Sequence, residues 1–189
     1  MNLRHVMITL LAGAVLVGSP VVFGDDDDHD GDPQRSGLSR RSADVAPVAN
    51  PQYAAECGEC HMVYSPELLP ARSWRKLMSS LEDHFGDNAE LPAETRDALT
   101  EYLVAHSAEQ SNSHRSQKML RSLSASDTPL RITETPYMRR KHDEVPDRFI
   151  AANDKVRSLS NCTACHTRAE SGSFAEREID IPGVGRWED

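Results

Sequence analysis

Cys57-Gly58-Glu59-Cys60-His61 and Cys162-Thr163-Ala164-Cys165-His166 use every cysteine of this 189-residue chain. Both read C-x-x-C-H. On a helical segment, Cys at i, Cys at i+3 and His at i+4 project from one face. Two thiols can then form thioethers with the vinyl groups of a porphyrin while the imidazole reaches its iron. That is the covalent attachment of c-type haem. Two motifs call for two covalently bound haem c groups, and the chemistry implied is electron transfer. Cys57, Cys60, Cys162 and Cys165 are the expected thioether positions, with His61 and His166 as proximal iron ligands.

Three other uses of these cysteines compete. Two C-x-x-C pairs can supply four thiolates to zinc, but about a hundred residues separate the pairs here, against roughly 12–20 in such motifs. A thioredoxin-like pair needs a βαβ setting, and neither motif follows a strand-like apolar run. Disulfides suit an exported protein, yet they do not explain why a histidine follows each pair.

The N-terminus points to export. Arg4 and His5 open a short basic start, Val6 to Val17 is apolar, and Val22-Phe23-Gly24 precedes Asp25 at a cleavage-like site. This is the pattern of a secretory signal peptide over residues 1–24. The apolar run is too short for a membrane span, so the mature chain is expected in the periplasm and not embedded in a membrane. Residues 25–50 begin with Asp25-Asp26-Asp27-Asp28-His29-Asp30 and read as an acidic leader without the apolar content to fold.

The net charge of −9 conceals this arrangement. Loss of residues 1–24 leaves −10, and six aspartates at 25–32 leave −4 for the rest. No basic footprint for nucleic acid is present. Aromatic residues make up 5% of the chain, so its own core is modest. Two porphyrins would supply the missing apolar surface.

The elements that must position the motifs are helical, because apolar residues recur at helical rather than strand spacing. The expected fold is mainly α: two small helical c-type haem-binding domains with extended connecting segments. The first domain spans 51–110, a linker 111–130, and the second domain 131–189. Ala54 to His61 is expected as a helix carrying the first motif. A second helix is expected from Ala71 to Phe85, with Trp74, Leu77, Met78, Leu81 and Phe85 on one face and Gly86 ending it. Pro92 opens a third, with Leu99, Tyr102, Leu103 and His106 as its stripe. The polar linker carries one weak turn at Met119–Leu123. Leu130 to Pro136 reads as extended, Tyr137 to Asp143 as a basic helical turn, and the second motif as lying on a helix. Gly172 to Pro182 is expected as a wrapping loop.

An electron-transfer haem takes a second axial ligand, usually Met or His. His84, His106, His114 and His142 are the histidines left after the signal peptide, the acidic leader and the motifs are set aside. His84 follows His61 by 23 residues and His142 precedes His166 by 24, so a His pair in each half is within reach. His106 competes from an apolar face, and Met78 and Met138 compete as thioether ligands. His114 lies in the polar linker.

These residues resemble the bacterial dihaem cytochrome c family. The resemblance runs from Cys57 to Pro182. It is carried by both motifs with Met62, by Leu69-Pro70-Ala71-Arg72-Ser73-Trp74, by Asp83-His84-Phe85-Gly86 and by Tyr102-Leu103. It continues through Arg131-Ile132-Thr133-Glu134-Thr135-Pro136, His142, Asn161, Gly172-Ser173-Phe174 and Ile179-Asp180-Ile181-Pro182. The resemblance implies bis-His irons and selects His84 and His142 as distal ligands, His84 with His61 and His142 with His166. It also implies redox partners in the periplasm, namely an oxygen-binding monohaem cytochrome c and a membrane cytochrome b.

The function expected is therefore a soluble periplasmic electron carrier with no enzymatic role. A dihaem peroxidase is the alternative, and it would need one iron to release its distal ligand. Arg139, Arg140 and Lys141 are expected either to pair with haem propionates and guide docking or to form a solvated patch.

Overall fold

The computed structural model describes residues 43–187. The expected signal peptide at 1–24 and the expected leader as far as residue 42 lie outside them. Six α-helices occur among the described residues: α1 (Pro51–Cys57), α2 (Ala71–Met78), α3 (Ala93–Ala105), α4 (His114–Arg121), α5 (Pro136–Lys141) and α6 (Asp147–Ile150). The strands are β1 (Asp180–Ile181) and β2 (Gly185–Arg186), an antiparallel pair with Ile181 opposite Gly185. The chain is mainly helical, as its periodicity requires.

Helices α2 and α3 form the central pair. Trp74, Leu77 and Met78 of α2 and Leu99 and Leu103 of α3 are buried at helical spacing. The Trp74 indole N–H donates to the Pro66 carbonyl at 2.8 Å, which satisfies the one polar group that this ring brings inside. The same core takes Tyr53 from α1, Met119 from α4, and Ile132 and Tyr137 from the region of α5. Beyond Tyr137, Val156, Ala169 and Ile181 are buried outside this cluster. The first motif thus rests on this core directly through Cys57, whereas the second meets it through Phe174 beside His166.

Several elements end differently from their sequence reading. Helix α2 stops at Met78 rather than Phe85, because the Ser79 and Ser80 hydroxyls donate back to the Lys76 carbonyl at 2.8 and 3.1 Å. Serines compete with the helical ladder in this way. The linker holds a full helix, α4, capped by Ser113, whose side chain accepts from the Ser116 N–H. Ile132–Glu134 is a 3-10 turn, not an extended segment.

Residues 43–50 are packed in part, at Val45 and Val48, contrary to the expectation for the leader. Val45 is 1% exposed, and its N–H donates to the Gly172 carbonyl at 3.1 Å. Gly172 has a φ of 78°, and a Cβ there would meet the Val45 carbonyl oxygen at 2.1 Å. Only glycine allows this crossing. Asp44 adds an ion pair to Arg115 and accepts the Phe174 N–H.

Candidate functional site

The first motif is placed by the end of α1. Asn50 caps the helix, accepting the Tyr53 N–H at 2.9 Å, and Pro51 takes the first turn, where no N–H is needed. The helix ends at Cys57, and a turn over 58–60 carries Cys60 and His61 to the surface of the protein chain. The motif therefore straddles the helix end rather than lying on the helix. The His61 Nδ1–H donates to the Met62 carbonyl at 2.7 Å. A carbonyl only accepts, so this bond puts the proton on Nδ1 and leaves Nε2 with a lone pair.

His84 comes to this place on a tight reversal and not on a helix edge. Its N–H donates to the Asp87 carbonyl at 2.8 Å. Phe85 has a φ of 61° and Gly86 of 103°, in the left-handed region that a bulky residue rarely enters. The Gly86 N–H donates to the Asp83 carboxylate at 3.1 Å. The turn sets the His84 ring against that of His61, 6.3 Å between centres and 28° between planes. Burial, then the charges of His61 and Arg131, push the His84 imidazole below its usual range against an opposing pull from Asp87. That favours the neutral form, which is the form that binds metal.

The second site is built by shorter pieces. Thr135 caps α5 and is fully buried, with Pro136 next to it. His142 ends α5, and its Nδ1–H donates to the Met138 carbonyl at 2.8 Å. Cys162–Ala164 is a single 3-10 turn, so the second motif is not helical. Residues 151–161 contain Asn and Ser side chains that bond the local backbone: Asn153 takes the Lys155 N–H and Ser158 the Ser160 N–H. The turn still gathers the motif, since the Cys165 and His166 N–H groups both donate to the Cys162 carbonyl. A bridge between His166 and Ile179 holds the motif from the C-terminal side.

The rings of His142 and His166 meet edge-on, 6.1 Å between centres and 76° between planes. Phe174 stands 5.4 Å from His166 on another side. Burial pushes the His166 imidazole down to about 4, helped by the charges of His142 and Arg115 and opposed by Asp44. Two buried polar atoms here have no hydrogen-bond partner, His166 Nδ1 and Arg115 Nε. The Arg115 guanidinium lies 5.5 Å from the Phe174 ring centre.

Both gaps fit an iron held between imidazoles. Imidazole nitrogens bind metals at about 2 Å, and two such bonds in line place ring centres about 6 Å apart. None of the four cysteines is joined in a disulfide. Burial pushes Cys57 up to about 11, with Glu56 adding to it, and burial likewise raises Cys162 to about 11. Among the described residues no three His, Cys, Asp or Glu side chains are grouped to hold a metal ion.

The remaining candidates lie elsewhere. His106 is exposed at the end of α3, bonded through Nδ1 to the Tyr102 carbonyl and packed on the Tyr102 ring at 4.5 Å. His114 is exposed at the start of α4, Met78 is in the core, and Met138 is packed beside it. Arg139, Arg140 and Lys141 are exposed in the last turn of α5, where cations complement the helix end. Arg115 and Tyr64 at these sites carry no motif signal. Their role comes from the pairing of distant segments.

Two C-x-x-C-H segments, each with a second imidazole across an iron-sized gap, in a small helical chain, define a multihaem c-type protein. The comparisons agree. The dihaem cytochrome c family model matches residues 53–174. A diheme cytochrome c from Rhodobacter sphaeroides is 48% identical, with a TM-score of 0.62 over 69% of this chain and 100% of that one. A diheme cytochrome type c from Shewanella baltica is 43% identical, with a TM-score of 0.60 over 72% of this chain and 96% of that one. No curated protein gives a match. The chain belongs to the dihaem cytochrome c family. Membership implies two covalently bound haem c groups and is consistent with a role in carrying electrons.

Proposed function

We propose that this chain is a periplasmic electron carrier in which each haem iron is closed by two histidines. Cys57, Cys60 and His61 hold one group with His84 as its distal ligand. Cys162, Cys165 and His166 hold the other with His142. The observation that carries this reading is the pair of facing imidazoles, at 6.3 and 6.1 Å. When bound, the haems supply reversible one-electron chemistry.

The chain's own residues do the rest. The Met62 and Met138 carbonyls hold the Nδ1 protons of His61 and His142, which leaves each Nε2 with a lone pair for metal. Burial keeps His84 and His166 neutral. The unpartnered Nε of Arg115 offers a cationic donor beside the second site, suited to a porphyrin carboxylate. With imidazoles on both sides of each gap, no position is reserved for a substrate, which favours a carrier over a peroxidase.

The halves at 51–110 and 131–189 each carry one haem, joined by 111–130. The signal-like residues 1–24 support export to the periplasm. Among the described residues no helix is long and apolar enough to cross a membrane. The family resemblance supports an oxygen-binding monohaem cytochrome c and a membrane cytochrome b as redox partners.

EPR and optical spectra of the oxidised, haem-loaded protein test this reading. Two low-spin bis-His signals are expected. A high-spin haem in the untreated protein would overturn the closed-iron assignment and favour ligand or peroxide chemistry.

A further inference from the structure

Tyr64 touches both sites. Its ring centre lies 5.0 Å from that of His61. Its hydroxyl donates to the Ser160 carbonyl at 2.6 Å, across 96 positions of sequence. The Cys162 sulfur lies 3.7 Å from that same carbonyl oxygen. One side chain therefore runs from the proximal imidazole of the first motif to the backbone next to the first thiol of the second.

The placement is held from behind. The Tyr64 carbonyl accepts the hydroxyl of Tyr53 at 3.0 Å, and Tyr53 is 3% exposed in the core. Ser65 and Pro66, which follow, are buried. The Tyr64 backbone is thus tied to α1 and the core. The second motif meets that core through Phe174, which packs against it and stands 5.4 Å from His166, and Tyr64 adds a direct link from the first motif to the backbone beside Cys162. An O–H···O bond of this length is at the short end of the usual range, and it couples the phenol ring closely to the carbonyl.

We propose that Tyr64 is a positioning residue that holds the Ser160–Cys162 segment against His61 and thereby sets the rate of electron exchange between the two haems. This rests on the electron-carrier reading above. The exchange moves one electron, oxidising one Fe(II) to Fe(III) and reducing the other Fe(III) to Fe(II). Tyr64 keeps its proton throughout, is neither oxidised nor reduced, and no bond is made or broken.

The test uses the full haem-loaded chain with Tyr64→Phe, which keeps the ring and loses the hydroxyl, and Tyr64→Leu, which loses both. Exchange is measured in half-reduced samples by NMR magnetisation transfer, alongside EPR spectra and the two reduction potentials. Tyr64→Phe is expected to slow exchange several-fold while both potentials and the spin states stay as in the parent protein. Tyr64→Leu is expected to slow it further. A role in stability alone would lower the melting temperature and leave exchange unchanged. Parent-like exchange in both variants would overturn the proposal. If Tyr64→Leu fails to fold, the Phe variant decides alone. A high-spin haem in the parent protein would strike the bis-His reading instead, and the exchange rate in Tyr64→Phe would still decide the role of Tyr64.

Discussion

His61 and His84 stand 6.3 Å apart, ring centre to ring centre, although 23 residues separate them and neither lies within a helix. A helix end positions one and a strained reversal the other. A like spacing recurs between His142 and His166 at 6.1 Å, with the ring planes nearly perpendicular, and it is built from a different pair of local structures. Two unrelated backbone solutions arrive at one spacing, and that spacing suits a metal ion.

Removing either distal imidazole should open one iron. His84→Ala and His142→Ala are each expected to convert one of the two haems to high spin, read by EPR and optical spectra, with the other haem unchanged. His106→Ala should leave both low-spin, since its ring packs on Tyr102. A high-spin signal from His106→Ala would show that the ligands are assigned wrongly.

The apoprotein thiols should differ in reactivity. Cys60 is exposed, whereas Cys57 is half-buried with its thiol pushed up to about 11. Because the thiolate is the nucleophile, alkylation at neutral pH is expected at Cys60 first, and raising the pH towards 11 should speed Cys57. The sign for stability follows. Between the ordinary thiol value of 9.0 and about 11 the unfolded chain loses this proton and the folded chain keeps it. Stability should therefore fall as pH rises through that window. Mass spectrometry of timed labelling checks the first point and urea unfolding at pH 8 and 10 the second.

Leu99→Ala should weaken the α2–α3 core without changing the redox sites. Leu99 is 1% exposed, and truncating a leucine so placed costs about 2–5 kcal/mol. Thermal unfolding should show the loss, while the oxidised haem spectra remain those of the parent. A change below about 0.5 kcal/mol would mean that this core does not govern the unfolding step.

Loss of the second haem should unfold the C-terminal part selectively. The core cluster takes no fully buried residue after Tyr137, so residues 147–187 have little apolar surface of their own to hold them. In the double variant Cys162→Ala and Cys165→Ala, hydrogen exchange is expected to become fast over 147–187 and to stay slow in α2 and α3. Equal protection in both parts would show that the second half folds without its haem.

Much of the chemistry was legible before any fold was known. C-x-x-C-H states its own purpose because its donor types and spacing suit one cofactor and few others. The apolar stripes of α2 and α3 were also legible, since Trp74, Leu77, Leu99 and Leu103 repeat with the helical period. What misled was local competition. Ser79 and Ser80 end α2 early, and the second motif is a 3-10 turn that follows a segment in which Asn153 and Ser158 bond their own backbone. Helical periodicity does not register side chains that bond their own backbone.

The sequence by itself determined the cofactor class and the mainly helical fold, and it singled out the candidate attachment residues and proximal histidines, because these depend on residue type and short spacing. The tertiary structure decided which histidines face one another, because His84 and His142 reach their partners through turns whose geometry no period encodes. It also decided that Val45 belongs to the core, and that Arg115 and Tyr64 stand beside the motifs. Those contacts form between segments far apart in sequence, and only the packed chain brings them together.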